Sequence, residues 1–380
     1  MIIPRSRSSA SALVLAFFVS LLLCLAAAAR AQSSNVSVFI TGLEFPRGLT
    51  FGPDLNLYVA EGGNGGNMST VGQCKQVPPP IGPYTGGFTA RISKITINAS
   101  LIPGGLELTP VNRITFVGHL PSDQTSPESG GLVSGVADVK FINYTLYALI
   151  AGAGCSHGLE NTNNEILRVN PDGSTIQVAN LSQFQKTHPV KNPEPDDFEP
   201  DGTWYSMVPV NGDLFAVEPN HGELDRIFTD GHITRVLDIS AHYGHIVPTA
   251  VVYNPKSGRF LVGNLDTFPI QRGSSVILSI QASPREVNVV ATGFTTIVGL
   301  ALDEQNRLYV LENTTGPNQF PTPGTGKIVR LDLHTGARQV IASGLDLPTA
   351  MTFGPDGNLY VSNWGFGPPN MGEILKVTVP

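Results

Sequence analysis

The 380-residue sequence predicts an all-β protein, a single six-bladed β-propeller, from three observations. Gly and Pro are abundant, at 41 and 30 residues, which is typical of many short strands joined by tight turns. Hydrophobic residues make up 41% and charged residues 14%, so a large core can be buried and general disorder is excluded. One hairpin pattern also occurs six times, with a period of about 50 residues in the second half of the chain, as in propeller blades.

Residues 1–31 predict a cleaved signal peptide. Arg5 and Arg7 precede an apolar run over residues 12–29, and the triplet at residues 29–31 fits a cleavage site. A membrane anchor is the alternative, because a run of this length is near the lower limit for spanning a bilayer. Cleavage predicts a secreted, extracellular domain over residues 32–380, with no stable membrane insertion.

Charge and cysteine content restrict the environment further. The net charge of −7 disfavours nucleic acid as a partner. The mature chain keeps Cys74 and Cys155, which predict one disulfide in an exported protein, with two free thiols as the alternative. Six sequons are candidate glycosylation sites if the host is a eukaryote: Asn35, Asn67, Asn98, Asn143, Asn180 and Asn313.

The repeat is clearest at the two ends of the chain. Gly42–Gly63 reads GLEFPRGLTFGPDLNLYVAEGG and Gly344–Gly365 reads GLDLPTAMTFGPDGNLYVSNWG. Each copy has an apolar run, a Pro-Asp or Asn-Gly type turn, and a second run rich in β-branched and aromatic residues, which predicts a buried hairpin. Weaker copies begin at Gly135, Gly202, Pro248 and Gly293.

A second strand pair follows most hairpins and completes a four-stranded blade. The predicted pairs are Glu165–Asn170 with Thr175–Ala179, Leu224–Phe228 with Ile233–Leu237, and Lys327–Asp332 with Arg338–Ala342. The last copy ends with only three strands. We therefore expect Ser37–Gly42 to supply the missing outer strand and to close the ring, which removes two exposed sheet edges.

These stretches resemble the ScyD/ScyE family of secreted propellers. The resemblance rests on PRGLTFGPDLNLYVAEGG, the loop around Cys74, GELDRIFTDG, ATGFTTIVGLALD and SGLDLPTAMTFGPDGNLYV, and it covers nearly the whole mature chain. It implies a six-bladed secreted propeller, but the family has no established general activity. More distantly, the repeats are similar to NHL, strictosidine-synthase-like and gluconolactonase/regucalcin-like propellers.

The gluconolactonase group holds a divalent ion in its channel with Glu, Asn and Asp side chains. Here Glu44-Phe45-Pro46 is only loosely similar to the first motif of that group. A Ser-Asn-Gly stretch of the fourth blade is replaced by residues 247–250, which read VPTA. This departure disfavours lactonase chemistry.

Aligning the six copies places one residue of each at the end of the second strand, on the face where the loops to the third strands open. We call this the open face. Five of the six residues are hydrogen-bond acceptors, with Ile150 as the exception: Glu61, Glu218, Asn264, Glu312 and Asn363. They are candidate ligand-binding residues for a polar ligand or a hard cation such as calcium. The alternative is that they satisfy loop amides or Arg partners.

A second cluster, Glu218, His221 and His245, is a candidate transition-metal set, although loop histidines such as these and His157 are more often surface residues. The insertion Pro193–Gly202 carries five carboxylates and lacks the ligand spacing of an EF-hand. A solvated acidic loop is therefore favoured over a weak calcium site.

No catalytic signature is present, so the catalytic residues remain unassigned. The sequence favours a secreted binding or accessory protein that takes a small molecule or a protein partner at its open face. The alternative is an extracellular metal-dependent, lactonase-like hydrolase with a divalent ion in its channel.

Overall fold

The computed structural model describes residues 32–193 and 198–380. The predicted signal peptide lies outside these residues. The strands form six sheets around a central axis, which confirms the six-bladed propeller. No helix in the described ranges is long and apolar enough to cross a membrane.

The strands follow the chain blade by blade. After β1 (Val36–Leu43), blade 1 contains β2 (Pro46–Phe51), β3 (Leu57–Glu61), β4 (Thr85–Ile102), β5 (Gly105–Gln124) and β6 (Val133–Ser134). Blade 2 contains β7 (Val136–Ile142), β8 (Thr145–Ile150), β9 (Glu165–Val169) and β10 (Thr175–Asn180). Blade 3 contains β11 (Ser206–Val210), β12 (Asp213–Glu218), β13 (Glu223–Ile227) and β14 (Ile233–Asp238).

The second half of the ring is more regular. Blade 4 contains β15 (Pro248–Asn254), β16 (Arg259–Asn264), β17 (Ser275–Gln281) and β18 (Glu286–Phe294). Blade 5 contains β19 (Ile297–Leu302), β20 (Leu308–Glu312), β21 (Gly326–Leu331) and β22 (Arg338–Leu345). Blade 6 contains β23 (Ala350–Phe353), β24 (Leu359–Asn363) and β25 (Gly372–Val377). Two short helices, α1 (Leu181–Thr187) and α2 (Ser240–Tyr243), lie in the connections to blades 3 and 4.

The hairpin turn of the repeat is held by its aspartate. In blade 1 the Asp54 carboxylate accepts hydrogen bonds from the Asn56 backbone at 3.2 Å and the Tyr58 hydroxyl at 3.0 Å. Lys94 on the third strand lies 2.8 Å from the same carboxylate. Blade 6 repeats this arrangement at Asp356, so the GPD and LY elements of the repeat fix the turn to the strands that flank it.

The ring closes through its N-terminal strand, as predicted. β1 pairs antiparallel with β25, from Val36 opposite Val377 to Leu43 opposite Gly372. Leu43 is completely buried and packs with Tyr360 and Ile374 of blade 6. Blade 1 reinforces the closure, because Leu108 of its long β4–β5 hairpin packs into the same cluster.

The predicted disulfide is also confirmed. Cys74 and Cys155 are bonded, and they join the loop after β3 to the loop after β8. The bridge therefore ties together two insertions that lie on the open face of adjacent blades. Because it closes a separation of 81 residues, it restricts the unfolded chain strongly.

Removing residues 32–42 from a chain of residues 32–380 should lower the melting temperature by about 10 °C or more, or cause aggregation. The deletion unpairs β25 and uncovers the apolar cluster around Tyr360. Thermal unfolding followed by circular dichroism measures this effect. A chain that begins at Asn35 keeps β1 and serves as the control. A deletion variant that melts like this control would contradict the closure.

Candidate functional site

The five predicted ring residues occupy equivalent positions, because each is the last residue of the second strand of its blade. All five are buried. Their side chains bond the loop that leads into the first strand of the same blade. The contacts are Glu44 N–H to Glu61 at 2.6 Å, Thr203 N–H to Glu218 at 2.8 Å, Thr295 N–H to Glu312 at 2.7 Å, Asp346 N–H to Asn363 at 2.9 Å, and Asn264 Nδ2 to the Ile246 carbonyl at 2.7 Å.

Protein cations compensate two of these carboxylates. Arg91 lies 2.7 Å from Glu61, and Lys327 lies 3.1 Å from Glu312. Burial raises the pKa of Glu312, and the charge of Lys327 opposes this shift. The contacts support the alternative that the sequence left open, in which these side chains anchor loops.

For the predicted metal set of Glu218, His221 and His245, the structure shows protein contacts. Among the described residues, no group of three or more His, Cys, Asp or Glu side chains is placed to hold a metal ion. Glu218 accepts a hydrogen bond from the His221 backbone N–H at 2.5 Å, and the His221 ring contacts the Glu199 carbonyl oxygen at 3.0 Å. His221 is also stacked on Phe198, and burial lowers the pKa of its imidazole. His221 therefore packs against residues of the insertion.

Blade 3 buries further acids that the sequence analysis did not single out. Glu223 and Asp225 lie on β13, and both are completely buried. Burial raises the pKa of Glu223 to about 7, although Arg235 pairs with it. Burial raises the pKa of Asp225 well above its usual range, and Trp204 Nε1 contacts this carboxyl at 3.4 Å. Two neighbouring acids of this blade interior therefore have raised pKa values.

The acidic insertion is not simply a solvated loop, because Glu199 and Asp201 are buried; residues 194–197 lie outside the described part. Glu199 accepts a hydrogen bond from the Tyr84 hydroxyl at 2.7 Å.

His157, predicted to be a surface residue, is completely buried and pairs through Nδ1 with Asp123. Burial alone would lower the pKa of His157, but Asp123 outweighs burial and raises this pKa to about 9, with help from Glu199 and Asp201. A charged histidine thus joins blade 1, the cysteine loop and the insertion.

A recurring β-bulge shapes the central channel at its open-face end. In blades 1, 2, 4 and 5 the first strand has one extra residue opposite the second strand. In blades 3 and 6 the equivalent residue immediately precedes the first strand, and its N–H bonds the second strand. We call these six positions the bulge layer: Arg47, Ala137, Tyr205, Thr249, Val298 and Thr349.

Five members of the bulge layer line a cavity of about 290 Å³ in the channel, and Thr249 instead bonds the Ile297 carbonyl. Below the layer the wall is mostly apolar, with Val208, Val252 and Phe353. The charged residues of the lining are Arg47, Asp138 and Lys140. They all come from blades 1 and 2, so the charged side chains of the lining lie on one side of the channel.

Asp138 and Lys140 neutralise each other. Lys140 Nζ lies 2.6 Å from Asp138 Oδ1, and Asp138 Oδ2 accepts the Met207 N–H of blade 3 at 2.9 Å. Burial raises the pKa of Asp138, and Lys140 opposes the shift. The carboxylate also lies against Gly48, where an added Cβ would sit 1.9 Å from Asp138 Oδ1. Asp138 therefore joins the inner strands of three blades and requires glycine at position 48.

Arg47 has no such compensation. Its guanidinium donates a hydrogen bond to the Val133 carbonyl and lies beside the Tyr205 hydroxyl. Burial lowers the pKa of Arg47, while Tyr205 and Asp123 oppose the shift. Asp123 is itself paired with His157, and Arg47 forms no ion pair within the described ranges. Among the described residues that line the channel, Arg47 is therefore a half-buried positive charge without an ion-pair partner.

No protein-family model and no curated protein matches the chain. Solved structures share its fold at low identity. A protein of unknown function from Bacteroides thetaiotaomicron has a TM-score of 0.54 at 11% identity, covering 92% of this chain and 77% of that chain. A gluconolactonase from Xanthomonas campestris gives 0.52 at 10% identity, covering 94% and 93%, and a luciferin-regenerating enzyme gives 0.51 at 11%, covering 92% and 95%. At these identities the similarity shows the propeller fold alone.

The sequence analysis missed Arg47, Tyr205 and Asp138. One signal was available, because aligning PRGLTF with PTAMTF places Arg47 opposite Thr349. A charged residue on an innermost strand, where another copy has a small one, marks a position that faces the channel. No comparable signal identifies Tyr205, which precedes its strand.

The sequons differ in accessibility. Asn67, Asn98 and Asn143 are exposed, and Asn35 and Asn180 are half-buried. Asn313 is only 1% exposed, and its amide donates a hydrogen bond to the Pro348 carbonyl at 2.7 Å. The folded protein leaves no room for a glycan at Asn313, so this candidate is the one that the structure disfavours.

The charged His157 predicts a pH dependence of stability. Its pKa is raised from 6.5 to about 9 on folding, so its contribution is fully present below pH 6.5 and is lost as the pH rises through about 9. The difference corresponds to about 3 kcal/mol of unfolding free energy. Denaturant unfolding between pH 6 and 10 should show this loss, and His157→Gln should remove it. The variant His232→Gln changes an exposed histidine and is the control; a slope unchanged in His157→Gln would contradict the assignment.

Proposed function

We propose that this protein is a secreted propeller of the ScyD/ScyE type that binds a small anionic molecule in its central channel. The observation that carries the proposal is the unpaired guanidinium of Arg47 in the channel cavity. A partly buried charge without an ion-pair partner is less favourable than a paired one, and an anionic ligand would supply the missing countercharge. A carboxylate suits this site, because the planar guanidinium donates two parallel hydrogen bonds to it.

The rest of the cavity restricts the ligand further. A volume of about 290 Å³ is at the lower end of small-molecule sites, about 300–1,000 Å³. The apolar wall beyond the bulge layer suits a hydrocarbon or aromatic body. We therefore infer a small carboxylate with an apolar body. The disulfide supports an oxidising, extracellular compartment for this function.

Titration calorimetry with benzoate tests this proposal. We expect benzoate to bind the mature protein at least tenfold more tightly than benzamide, its neutral analogue. Arg47→Gln should weaken benzoate binding by about 10- to 100-fold, because a charge-assisted hydrogen bond contributes about 1.5–3 kcal/mol. Arg272→Gln changes an exposed arginine and is the matched control. Equal binding of benzoate and benzamide, or wild-type affinity in Arg47→Gln, would contradict the proposal.

The second candidate, a metal-dependent lactonase-like hydrolase, has the support of the fold similarity alone. The residues that would hold its ion do not fit: the predicted oxygens are bonded to loop amides, and the described residues offer no metal cluster. Glu44 does not fit either, since its carboxylate accepts the Asn370 N–H. The binding function is therefore preferred.

Divalent ions distinguish the two candidates. We expect calcium, magnesium and zinc to leave the melting temperature unchanged, because the ring oxygens already have protein partners. The double variant Glu218→Gln, Glu312→Gln keeps the shape of both side chains and is the control. A rise in melting temperature that this double variant abolishes would favour the metal-dependent hydrolase instead.

A further inference from the structure

The bulge layer is filled unevenly. Four of its six members have small side chains (Ala137, Thr249, Val298 and Thr349), and only Arg47 and Tyr205 have long ones. The layer lies at the open-face end of the channel, so these two side chains decide how wide that end is.

Tyr205 crosses the channel. It belongs to blade 3, and its hydroxyl donates a hydrogen bond to the carbonyl oxygen of Thr349 in blade 6, at 3.1 Å. Blades 3 and 6 stand opposite each other in a ring of six, so the Tyr205 side chain extends from one wall of the channel to the opposite wall. Arg47 of blade 1 lies beside the same hydroxyl.

Tyr205 is held at two places, at its backbone and at its side-chain hydroxyl. Its backbone N–H bonds the Val217 carbonyl at 3.1 Å, and the preceding Trp204 is almost completely buried. At the far end, the hydroxyl donates a hydrogen bond to the neutral Thr349 carbonyl of blade 6 and also bonds the Arg47 side chain of blade 1. Burial raises the pKa of Tyr205, so its phenol stays neutral. The polar contacts of this side chain are therefore all made by its hydroxyl, and the ring is free to turn about a fixed backbone once those contacts break.

We propose that Tyr205 is the gate of the channel, and that a small anionic ligand enters from the open face when the phenol ring leaves the Thr349 carbonyl. Arg47 then exchanges the Tyr205 hydroxyl for the ligand carboxylate. This inference rests on the proposed function for its ligand. Tyr205 thus determines which molecules reach the cavity, and Arg47 determines which of them stay.

A single cysteine below the gate tests access without a known ligand. Val252 is half-buried on β15 and lines the cavity, and the two native cysteines of the mature chain are bonded to each other. In a Val252→Cys background, the rate of modification is measured with two methanethiosulfonate reagents, an anionic sulfonatoethyl and a cationic trimethylammonioethyl compound. Each transfers its thioalkyl group to the thiolate and releases methanesulfinate.

Tyr205→Ala should raise the rate at least tenfold for both reagents, and Tyr205→Phe, which keeps the ring but loses the hydroxyl, should raise it two- to threefold. Tyr144→Ala truncates an exposed tyrosine outside the channel and should leave the rate unchanged. The melting temperature of each variant verifies folding, and Tyr205→Phe keeps the test valid if Tyr205→Ala unfolds.

The result also separates the gate from the proposed function. Each rate is divided by the rate of the same reagent with free 2-mercaptoethanol, because an anionic thiolate reacts intrinsically faster with a cationic reagent. A higher relative rate for the anionic reagent supports the cationic channel. Equal relative rates would contradict the proposed function, and the effect of Tyr205→Ala on both rates would still test the gate. The gate is overturned if Tyr205→Ala reacts at the wild-type rate, or if the thiol stays unreactive in Tyr205→Ala.

Discussion

Antiparallel pairing between the first and last strands is the constraint on which the rest of this protein depends. The pairing of β1 with β25 turns six separate sheets into a closed ring, and a closed ring holds its innermost strands at a fixed distance from one axis. The channel is a consequence of that closure. Its wall consists of first strands whose neighbours on both sides are other blades, so each charge placed there is held by several blades at once, as Asp138 shows.

The residues at the ends of the second strands position the side chains at the open-face end of the channel. In five blades a Glu or Asn side chain holds the loop that enters the first strand, and the bulge-layer residue of that blade follows directly after this loop. In four of these five blades that residue lines the channel cavity, and Thr249 of blade 4 is the exception. A structural role for these acceptors and a functional role for the bulge layer are therefore linked, because the anchored loop positions Arg47 and Tyr205.

Much of the fold follows from the sequence, and the site follows from it only in part. The number of blades, the register of each hairpin and the closing strand could all be predicted from the repeat. A buried hairpin needs its apolar residues and its turn residues at fixed positions, so the pattern is visible in the sequence. The same alignment located Glu61 and its equivalents correctly, but spacing does not tell whether an oxygen faces a ligand or a loop amide. His157 and Tyr205 were beyond reach, since their surroundings come from insertions and from blades distant in the chain. Arg47 was within reach through its mismatch with Thr349.

The central claim is that a small carboxylate binds in the channel at Arg47. Diffraction from a crystal of the mature protein soaked with 4-bromobenzoate tests it most directly, because the anomalous signal of bromine locates the ligand without ambiguity. We expect one bromine site among the apolar residues of the channel wall, with the carboxylate against the Arg47 guanidinium and Tyr205 turned away from Thr349. Bromine sites that lie only on the outer surface, with an unoccupied channel at saturating ligand, would contradict the claim.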